Sequence, residues 1–445
     1  MKIRMRTILI VFLCSGFAVL YCLIGCGSED DPVVPPIDPC AWISCGEHGI
    51  CIYGVCSCRD GYFGPVCGTP PSCNELGCGD HGTCVDDVCF CDPDYSGVRC
   101  EEYICEGDYL VTDDTQLAAS FGYDEGFTHV NLTELLECTV IAGDLIIIAT
   151  NLTSLQGLEG ITSILDNLVI IKNHELVRLQ ALEKLTSLGG SLKIGDNHSL
   201  NSLQGLENLT SIDGGMMIFN NNSLNNFQGL ENITSLAFLH ISENLSLSSL
   251  QGLENLNSVR GNLLLVNNAS LNSLQGLKNL TSVGGFLYIA LNNSLDNLQG
   301  LESLTSVKEL HLFGNYSLIN IQGLENLTSV SEYLIIQANG ALSSLKELNN
   351  LISVGEDLII LGNDALTNLE GLNNFTTVGG RLMIYSNDAL SSLKELNNLI
   401  SIGGDLDISG NDSLATCEAD WLRDNILTIG GTIFIHDNCD TCTCE

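Results

Sequence analysis

The sequence predicts an all-β chain: a long right-handed parallel β-solenoid of about 12 coils with disulfide caps, preceded by two small disulfide-rich modules. Three observations support this prediction. Close copies of "GGFLYIALNNSLDNLQGLESLTSV", residues 284–307, fill most of the chain. Within each copy apolar residues alternate as in a strand. Ahead of the repeats, two stretches share one set of cysteine intervals.

The repeat is aligned on the pattern x-Leu-x-Ile-x-x-Asn, which recurs in steps of 24 or 23 residues with a final step of 27. A fixed period of this length is typical of a solenoid, in which each coil buries its apolar side against its neighbours. One asparagine marks each coil. These are Asn173, Asn197, Asn221, Asn244, Asn268, Asn292, Asn315, Asn339, Asn363, Asn387, Asn411 and Asn438.

Strand alternation separates the core from the surface. In "FLYIALN", Leu287 and Ile289 point one way, while Tyr288 and Ala290 point the other. The first set is aliphatic in nearly every coil, so we predict that it forms the core. An inward asparagine side chain, with a donor and an acceptor, could satisfy backbone groups at the turn above and the turn below.

Residues 40–67 and residues 73–100, joined by the linker 68–72, each contain six cysteines at intervals of 4, 5, 4, 1 and 8 residues. Segments this short need disulfides or a metal in order to fold. Spacing alone leaves 15 connectivities for each module. A zinc site is disfavoured because no four-ligand spacing is present.

The endings "DGYFGPVC" and "PDYSGVRC" make both modules resemble EGF-like modules. That resemblance implies disulfides between the first and third, second and fourth, and fifth and sixth cysteines. The implied pairs are Cys40–Cys51, Cys45–Cys56, Cys58–Cys67, Cys73–Cys84, Cys78–Cys89 and Cys91–Cys100. Calcium-binding members carry an acidic cluster before the first cysteine, which "PPIDPC" and "TPPSC" lack, so we expect no calcium there.

Two architectures fit residues 101–445. "VKELHLFGN" has the spacing of a leucine-rich-repeat horseshoe, but most coils contain one further Gly-bearing corner. That corner and the cysteine-bounded ends resemble the receptor L domain, a ligand-binding β-solenoid. The resemblance implies a Cys105–Cys138 disulfide, and a capping helix in "TCEADWLRDNI". Two further bridges are expected among four cysteines whose pairing stays open: Cys417, Cys439, Cys442 and Cys444.

Residues 1–25 have the layout of an export signal, with basic residues before an apolar run. "LIGC" resembles the bacterial lipoprotein box, which implies lipidation of Cys26, and an uncleaved membrane-spanning helix is the alternative. Removing Cys14, Cys22 and Cys26 leaves 18 of the 21 cysteines, an even number for disulfides in an oxidising compartment. The acidic, proline-rich residues 26–39 are predicted to form a tether.

A net charge of −38 disfavours nucleic acid as a partner. We predict no cofactor and no enzymatic activity, since His240 and His311 lie three coils apart and no lyase-like group of basic and acidic residues accompanies them.

Two stacks of side chains follow the asparagine column. His174 lies over His198, and Asp364, Asp388 and Asp412 could hold a loose calcium ion, although a solvated turn without metal is the simpler interpretation.

The predicted function is that of a lipid-anchored protein of the cell surface, most simply the outer membrane, which binds a protein or a glycan. Alternatives are a structural spacer without a ligand, or a β-helix enzyme that acts on polysaccharides. Self-association is a further possibility. Outward strand positions are unexpectedly apolar and form the candidate binding face: Met217, Phe219, His240, Leu264, Val266, Tyr288, His311, Phe313, Ile335, Met383 and Tyr385, with Phe434 beyond them.

Overall fold

A computed structural model of the chain describes residues 49–52, 55–58, 77–85, 88–96, 99–123 and 126–443. Contacts divide the chain into two compact units, whose boundary falls between residues 92 and 101. Among the described residues, no helix is long and apolar enough to cross a membrane. The predicted signal, Cys26, the tether 26–39, the linker 68–72 and most of the module 40–67 lie outside the described residues.

In its described residues, the first unit contains two antiparallel hairpins. One pairs Gly49–Ile52 with Val55–Cys58, and the other pairs Gly82–Val85 with Val88–Cys91. Disulfides join Cys78 to Cys89 and Cys91 to Cys100, which are pairs that the EGF-like resemblance implies. Cys84 is also disulfide-bonded. The remaining implied pairs include side chains outside the described residues: Cys40–Cys51, Cys45–Cys56, Cys58–Cys67 and Cys73–Cys84.

The second unit is a parallel β-solenoid of about 12 turns, as predicted. Its main sheet begins with Tyr109–Val111 and Thr128–His129 and continues with one strand from each coil. The coil strands are Leu145–Ile148, Leu168–Ile171, Leu192–Gly195, Met216–Phe219, Leu239–Ser242, Leu263–Val266, Ser282–Ala290, Ser306–Phe313, Leu334–Gln337, Leu358–Leu361, Leu382–Tyr385, Leu406–Ser409 and Ile433–His436.

A second set of shorter strands precedes the main strand of each coil. They begin with Tyr95–Ser96 and Glu102–Cys105, which pair with each other, and Glu102–Cys105 pairs in turn with the first coil. The coil members are Val140–Ile141, Ser163–Ile164, Ser187–Leu188, Ser211–Ile212, Ser235–Leu236, Ser258–Val259, Ser329–Val330, Ser353–Val354, Thr377–Val378, Ser401–Ile402 and Thr428–Ile429. In two central coils, the short and main strands fuse into Ser282–Ala290 and Ser306–Phe313.

Helices are few and short within the described residues. Helix α1 spans Thr115–Ser120. Asp114 caps its N-terminus, and the Asp114 side chain accepts a hydrogen bond from the Leu117 backbone N–H. Helix α2, Thr416–Asn425, lies where the capping helix was expected. Turns of 3-10 helix occupy Leu132–Leu135, Gln180–Leu182, Gln275–Leu277, Lys346–Asn350 and Lys394–Leu396.

One continuous apolar core extends from Val111 to Ile426. A single coil contributes seven apolar side chains, each no more than 2% exposed: Leu263, Leu265, Leu271, Leu274, Leu277, Leu280 and Val283. Burying a side chain of this size contributes about 1.5–3 kcal/mol. Because no coil encloses these residues alone, stacking along the solenoid provides the stability.

The chain turns sharply at the end of each main strand. Every residue that precedes a ladder asparagine adopts a left-handed conformation, with φ between 51° and 66°. Most of these residues are not glycine; Leu291 is an example with φ of 58°. A left-handed residue other than glycine costs about 1 kcal/mol or more. The hydrogen bonds of the buried asparagine next to it offset that cost.

The Gln-Gly-Leu-Glu segment of the repeat has its own local geometry. In several coils the glycine has φ near 110° and its N–H donates to the carboxylate two residues later, as Gly252 does to Glu254 at 2.8 Å. Two coils place glutamate at this glycine position. One of them, Glu347, is 6% exposed and its Oε2 atom has no hydrogen-bond partner.

Replacing Glu347 by Gln is expected to raise the free energy of unfolding by about 1 kcal/mol near neutral pH. Burial raises the pKa of this carboxyl above its ordinary value of 4.5. The contribution of the neutral carboxyl to stability is therefore fully present below pH 4.5 and is lost as pH rises through the native pKa. Denaturant unfolding at several pH values measures the difference. Glu356→Gln, at an exposed position, is the control, and a gain that is the same at every pH would contradict the prediction.

Candidate binding face on the outward side of the sheet

The candidate binding face consists of the main-strand side chains that point away from the core. Parallel pairing places equivalent residues of adjacent coils side by side. Tyr288, for example, pairs with Leu264 on one side and with His311 on the other. His311 in turn pairs with Ile335. The predicted residues therefore form continuous columns across the sheet. Within a column, residues of successive coils are about 4.8 Å apart.

The structure places all the predicted face residues on this side and half-buries most of them. Their neighbours in the column cover their flanks, so the face is less exposed than the sequence suggested. Tyr385 is 41% exposed and Phe434 is 43% exposed. The half-buried members are Met217, Phe219, His240, Leu264, Val266, Tyr288, His311, Phe313, Ile335 and Met383.

Sequence analysis missed several residues of this face. Ile359 and Leu361 are half-buried and pair with Ile335 and Gln337 in the adjacent strand. The same alternation that identified Ile335 would have found them. One further column, two residues before the first outward position, adds Phe238, Phe286 and Tyr333.

Aromatic rings of the face lie over glycines of the preceding coil. A Cβ atom added to Gly195 would overlap the Phe219 ring, and one added to Gly215 would overlap the Phe238 ring. A ring packed over a glycine shields backbone that has no side chain of its own. This arrangement holds the rings of Phe219 and Phe238 flat against the sheet.

Two histidines of the face have different surroundings. Burial lowers the pKa of His240 to about 4, so its ring is neutral at physiological pH. The Nε2 atom of His311 lies 3.0 Å from the Glu309 carboxylate. The hydrogen bond from His311 lowers the pKa of Glu309, which burial opposes.

His311 also contacts two aromatic rings. Its ring centroid lies 5.9 Å from that of Tyr288, edge to face, and 6.5 Å from that of Phe286. Phe286, Tyr288, His311 and Glu309 therefore form a cluster of three rings and one carboxylate at the two fused strands. Such a cluster offers flat apolar surface beside a hydrogen-bond acceptor.

The N-terminal end of the face is covered. Ile146, Ile148 and Val169 point outward from the first two coil strands, yet each is at most 4% exposed. Helix α1 and the segment after it pack on them through Ala118 and Phe121, with Tyr123 and Phe127. The open face consequently begins near Met217. Sequence analysis did not predict this cover.

The asparagine ladder is buried: all but the last of its twelve residues are 0% exposed. Each side chain bonds to the coil before it. The Asn268 oxygen accepts from the Asn244 backbone N–H at 3.1 Å, and its Nδ2 donates to the Ile241 carbonyl at 3.0 Å. The Asn268 backbone donates to Asn292 of the next coil at 3.1 Å. The backbone groups that the side chain satisfies thus belong to the preceding coil, while its Nδ2 also donates to the Asn292 side-chain oxygen of the following coil at 3.3 Å.

A second, exposed asparagine ladder runs along the outside. Asn255 donates through Nδ2 to the Glu231 carbonyl at 2.6 Å, and Asn326 donates to the Glu302 carbonyl at 2.8 Å. Asn326 belongs to an N-x-Ser/Thr triplet, whose Nδ2 is the atom that a glycan would modify. Its bond to the preceding coil favours a structural role.

The acidic stack is exposed and its members interact. Burial and the neighbouring Asp412 and Asp364 raise the pKa of Asp388. Within the described chain, the group whose carboxylates converge closely enough for one ion is a different one, Asp108, Asp144 and Asp166. Asp144 already accepts hydrogen bonds from Asn167 at 2.8 Å.

Disulfides bound the solenoid at both ends. Cys105 pairs with Cys138, as the receptor L domain resemblance implies. Cys439 pairs with Cys442, which resolves one bridge among the four C-terminal cysteines. Cys417 is also disulfide-bonded, and Cys444 lies outside the described residues.

Comparison with curated proteins finds no match for this chain. Comparison with protein families gives a match over the early coils that carry Cys138 and the first ladder asparagines. Residues 137–225 match the family model of the Receptor L domain, so this segment of the solenoid is similar to the domain that the coil pattern resembled.

Proposed function

We propose that this protein is a non-catalytic surface protein that binds another protein through the open outward face of its solenoid. One observation carries the proposal: a column of largely apolar residues crosses the sheet from His240 to Met383 and contains no Asp, Glu, Lys or Arg. Its members are His240, Leu264, Tyr288, His311, Ile335, Ile359 and Met383.

A spacer without a ligand has no need of such a column. Outward positions of a solvated sheet are usually filled with polar residues, and a contiguous apolar patch usually marks an interaction site. The similarity of residues 137–225 to a domain named for receptors points the same way. The net charge of −38 favours a partner with basic residues around an apolar centre.

A glycan is the second candidate ligand. The cluster of Phe286, Tyr288, His311 and Glu309 favours it, because sugar rings stack on aromatic faces and their hydroxyls donate to carboxylates. Binding of purified glycans, reduced by Glu309→Gln, would support this candidate over a protein partner.

Replacing Tyr288 and Phe313 together by Glu is expected to abolish capture of the partner protein from extracts of the cells among which this protein naturally occurs. Both side chains lie on the open face, and two charges there would be desolvated on binding. The matched control replaces Asn293 and Tyr316 by Glu, which adds the same charge to the same two coils at exposed turn positions. Pull-down with mass spectrometry, together with melting temperature, measures both proteins. Equal loss of capture by the two variants would refute the proposed face.

The proposal includes export and a lipid anchor at Cys26. The lipoprotein-like "LIGC" and the disulfides of the folded part support it, because disulfides persist in oxidising compartments. Cys26→Ser is expected to release the protein from membranes into the soluble fraction. If detergent is still needed for extraction, an uncleaved helix holds the protein instead.

A further inference from the structure

Two exposed histidines lie next to each other on a different surface, the turn after the main sheet. The residue that follows each ladder asparagine forms a column along the solenoid, which here contains His174, His198 and Asn222. Asn151 continues this column in the preceding coil, where Thr150 stands at the ladder position and donates hydrogen bonds to Asn173. The rings of His174 and His198 come from consecutive coils. Their centroids are 4.9 Å apart and their planes differ by 16°.

The proton position on His198 follows from its partner. Its Nδ1 atom lies 3.1 Å from the backbone carbonyl oxygen of Asn220, which can only accept a hydrogen bond. The neutral ring therefore carries its proton on Nδ1, and Nε2 keeps its lone pair. A histidine that donates one ring N–H to a backbone carbonyl and offers the other nitrogen is the arrangement found at protein metal sites.

We infer that His174 and His198 form a surface site for a divalent cation of the late first-row metals, such as Ni²⁺, Cu²⁺ or Zn²⁺. Imidazole favours these ions, whereas Ca²⁺ and Mg²⁺ favour oxygen ligands. Water completes the coordination. The net charge of −38 raises the local concentration of cations around the chain.

The stacked rings must turn to share one ion. Metal–nitrogen distances of about 2.0–2.1 Å place two ligand nitrogens roughly 3–4 Å apart, with the ion near both ring planes. Parallel rings separated by 4.9 Å do not meet this condition. Both side chains are exposed, so rotation about Cα–Cβ and Cβ–Cγ brings their edges together without disturbing the core.

Calorimetric titration of the full chain with Ni²⁺ tests the inference. The buffer contains excess Mg²⁺, which occupies the carboxylates. The variants are His174→Asn and His198→Asn, because Asn151 and Asn222 show that this column accepts asparagine. His129→Asn, at another exposed histidine, is the control. We expect each column variant, and the double variant equally, to lose one bound ion or at least about tenfold in affinity, with no effect of the control.

Two results would overturn the inference. One is Ni²⁺ binding that survives in the double variant with unchanged affinity. The other is a pair of independent losses, in which each single variant removes a separate ion and the double variant removes two. Melting temperatures of the metal-free variants, expected to equal that of the wild type, separate ligand loss from misfolding.

Discussion

Ile289→Glu is expected to destabilise the central coils by about 5 kcal/mol, since it places an unpaired charge in a fully buried position. Ile289 is 0% exposed, between Leu265 and Leu312 in the core column. Hydrogen exchange in the adjacent strands Leu263–Val266 and Ser306–Phe313 measures the effect locally. A local measurement is preferable because long repeat arrays can unfold in parts.

Tyr288→Glu is the matched control, one residue away in the same strand. Its side chain is half-buried on the outward face, so we expect it to cost no more than about 1–2 kcal/mol. A one-residue error in strand phase would reverse the two results. Tyr288→Glu would then be the severe change, and the binding face would be part of the core.

Asn268→Leu is the second large effect, with an expected cost of about 3–5 kcal/mol. Leucine has a similar volume but leaves the Asn244 N–H without a partner in a dry interior. It also removes the bond to the Ile241 carbonyl and the side-chain bonds to Asn244 and Asn292. Each unpaired buried group costs about 1–3 kcal/mol. The left-handed residue before it, Asn267, would also lose the bonds that hold its turn in place.

Asn255→Leu provides the comparison in the exposed ladder. Its lost bond to the Glu231 carbonyl can be replaced by water, so the expected cost is below about 1 kcal/mol. Thermal and denaturant unfolding of the two variants give the difference. Equal costs would mean that burial does not set the strength of the ladder.

The covered and open parts of the face differ by one short segment. Ile146 and Val169 are as apolar as Leu264 and Ile335, yet helix α1 and Phe121 protect only the first pair. Apolar outward residues are thus tolerated at the N-terminal end because the chain itself covers them. Beyond Met217, the outward side chains of the same columns are partly exposed, and Tyr385 is 41% exposed, which is why we place the partner there.

The repeat by itself determined the solenoid, its inward columns and the asparagine ladder. Each of these features recurs with the period of a coil, and a coil can bury Leu287 and Ile289 only by stacking on an equivalent coil. Alternation also placed Tyr288, His311 and Ile335 on the outward face. The repeat did not determine which neighbouring coil's backbone the asparagine side chain bonds to, because an amide has both a donor and an acceptor and could bond to either one.

Only the tertiary structure decided which outward residues are covered and how far the others are exposed. Helix α1 lies outside the repeats, so no periodic pattern places it on Ile146 and Ile148. The left-handed turn at Leu291 was equally hidden, because it is held by bonds to another coil and not by a local glycine preference. The unpartnered oxygen of Glu347 was hidden as well. The repeat period determines the contacts between equivalent residues of neighbouring coils. Contacts between non-equivalent segments depend on how the whole chain folds.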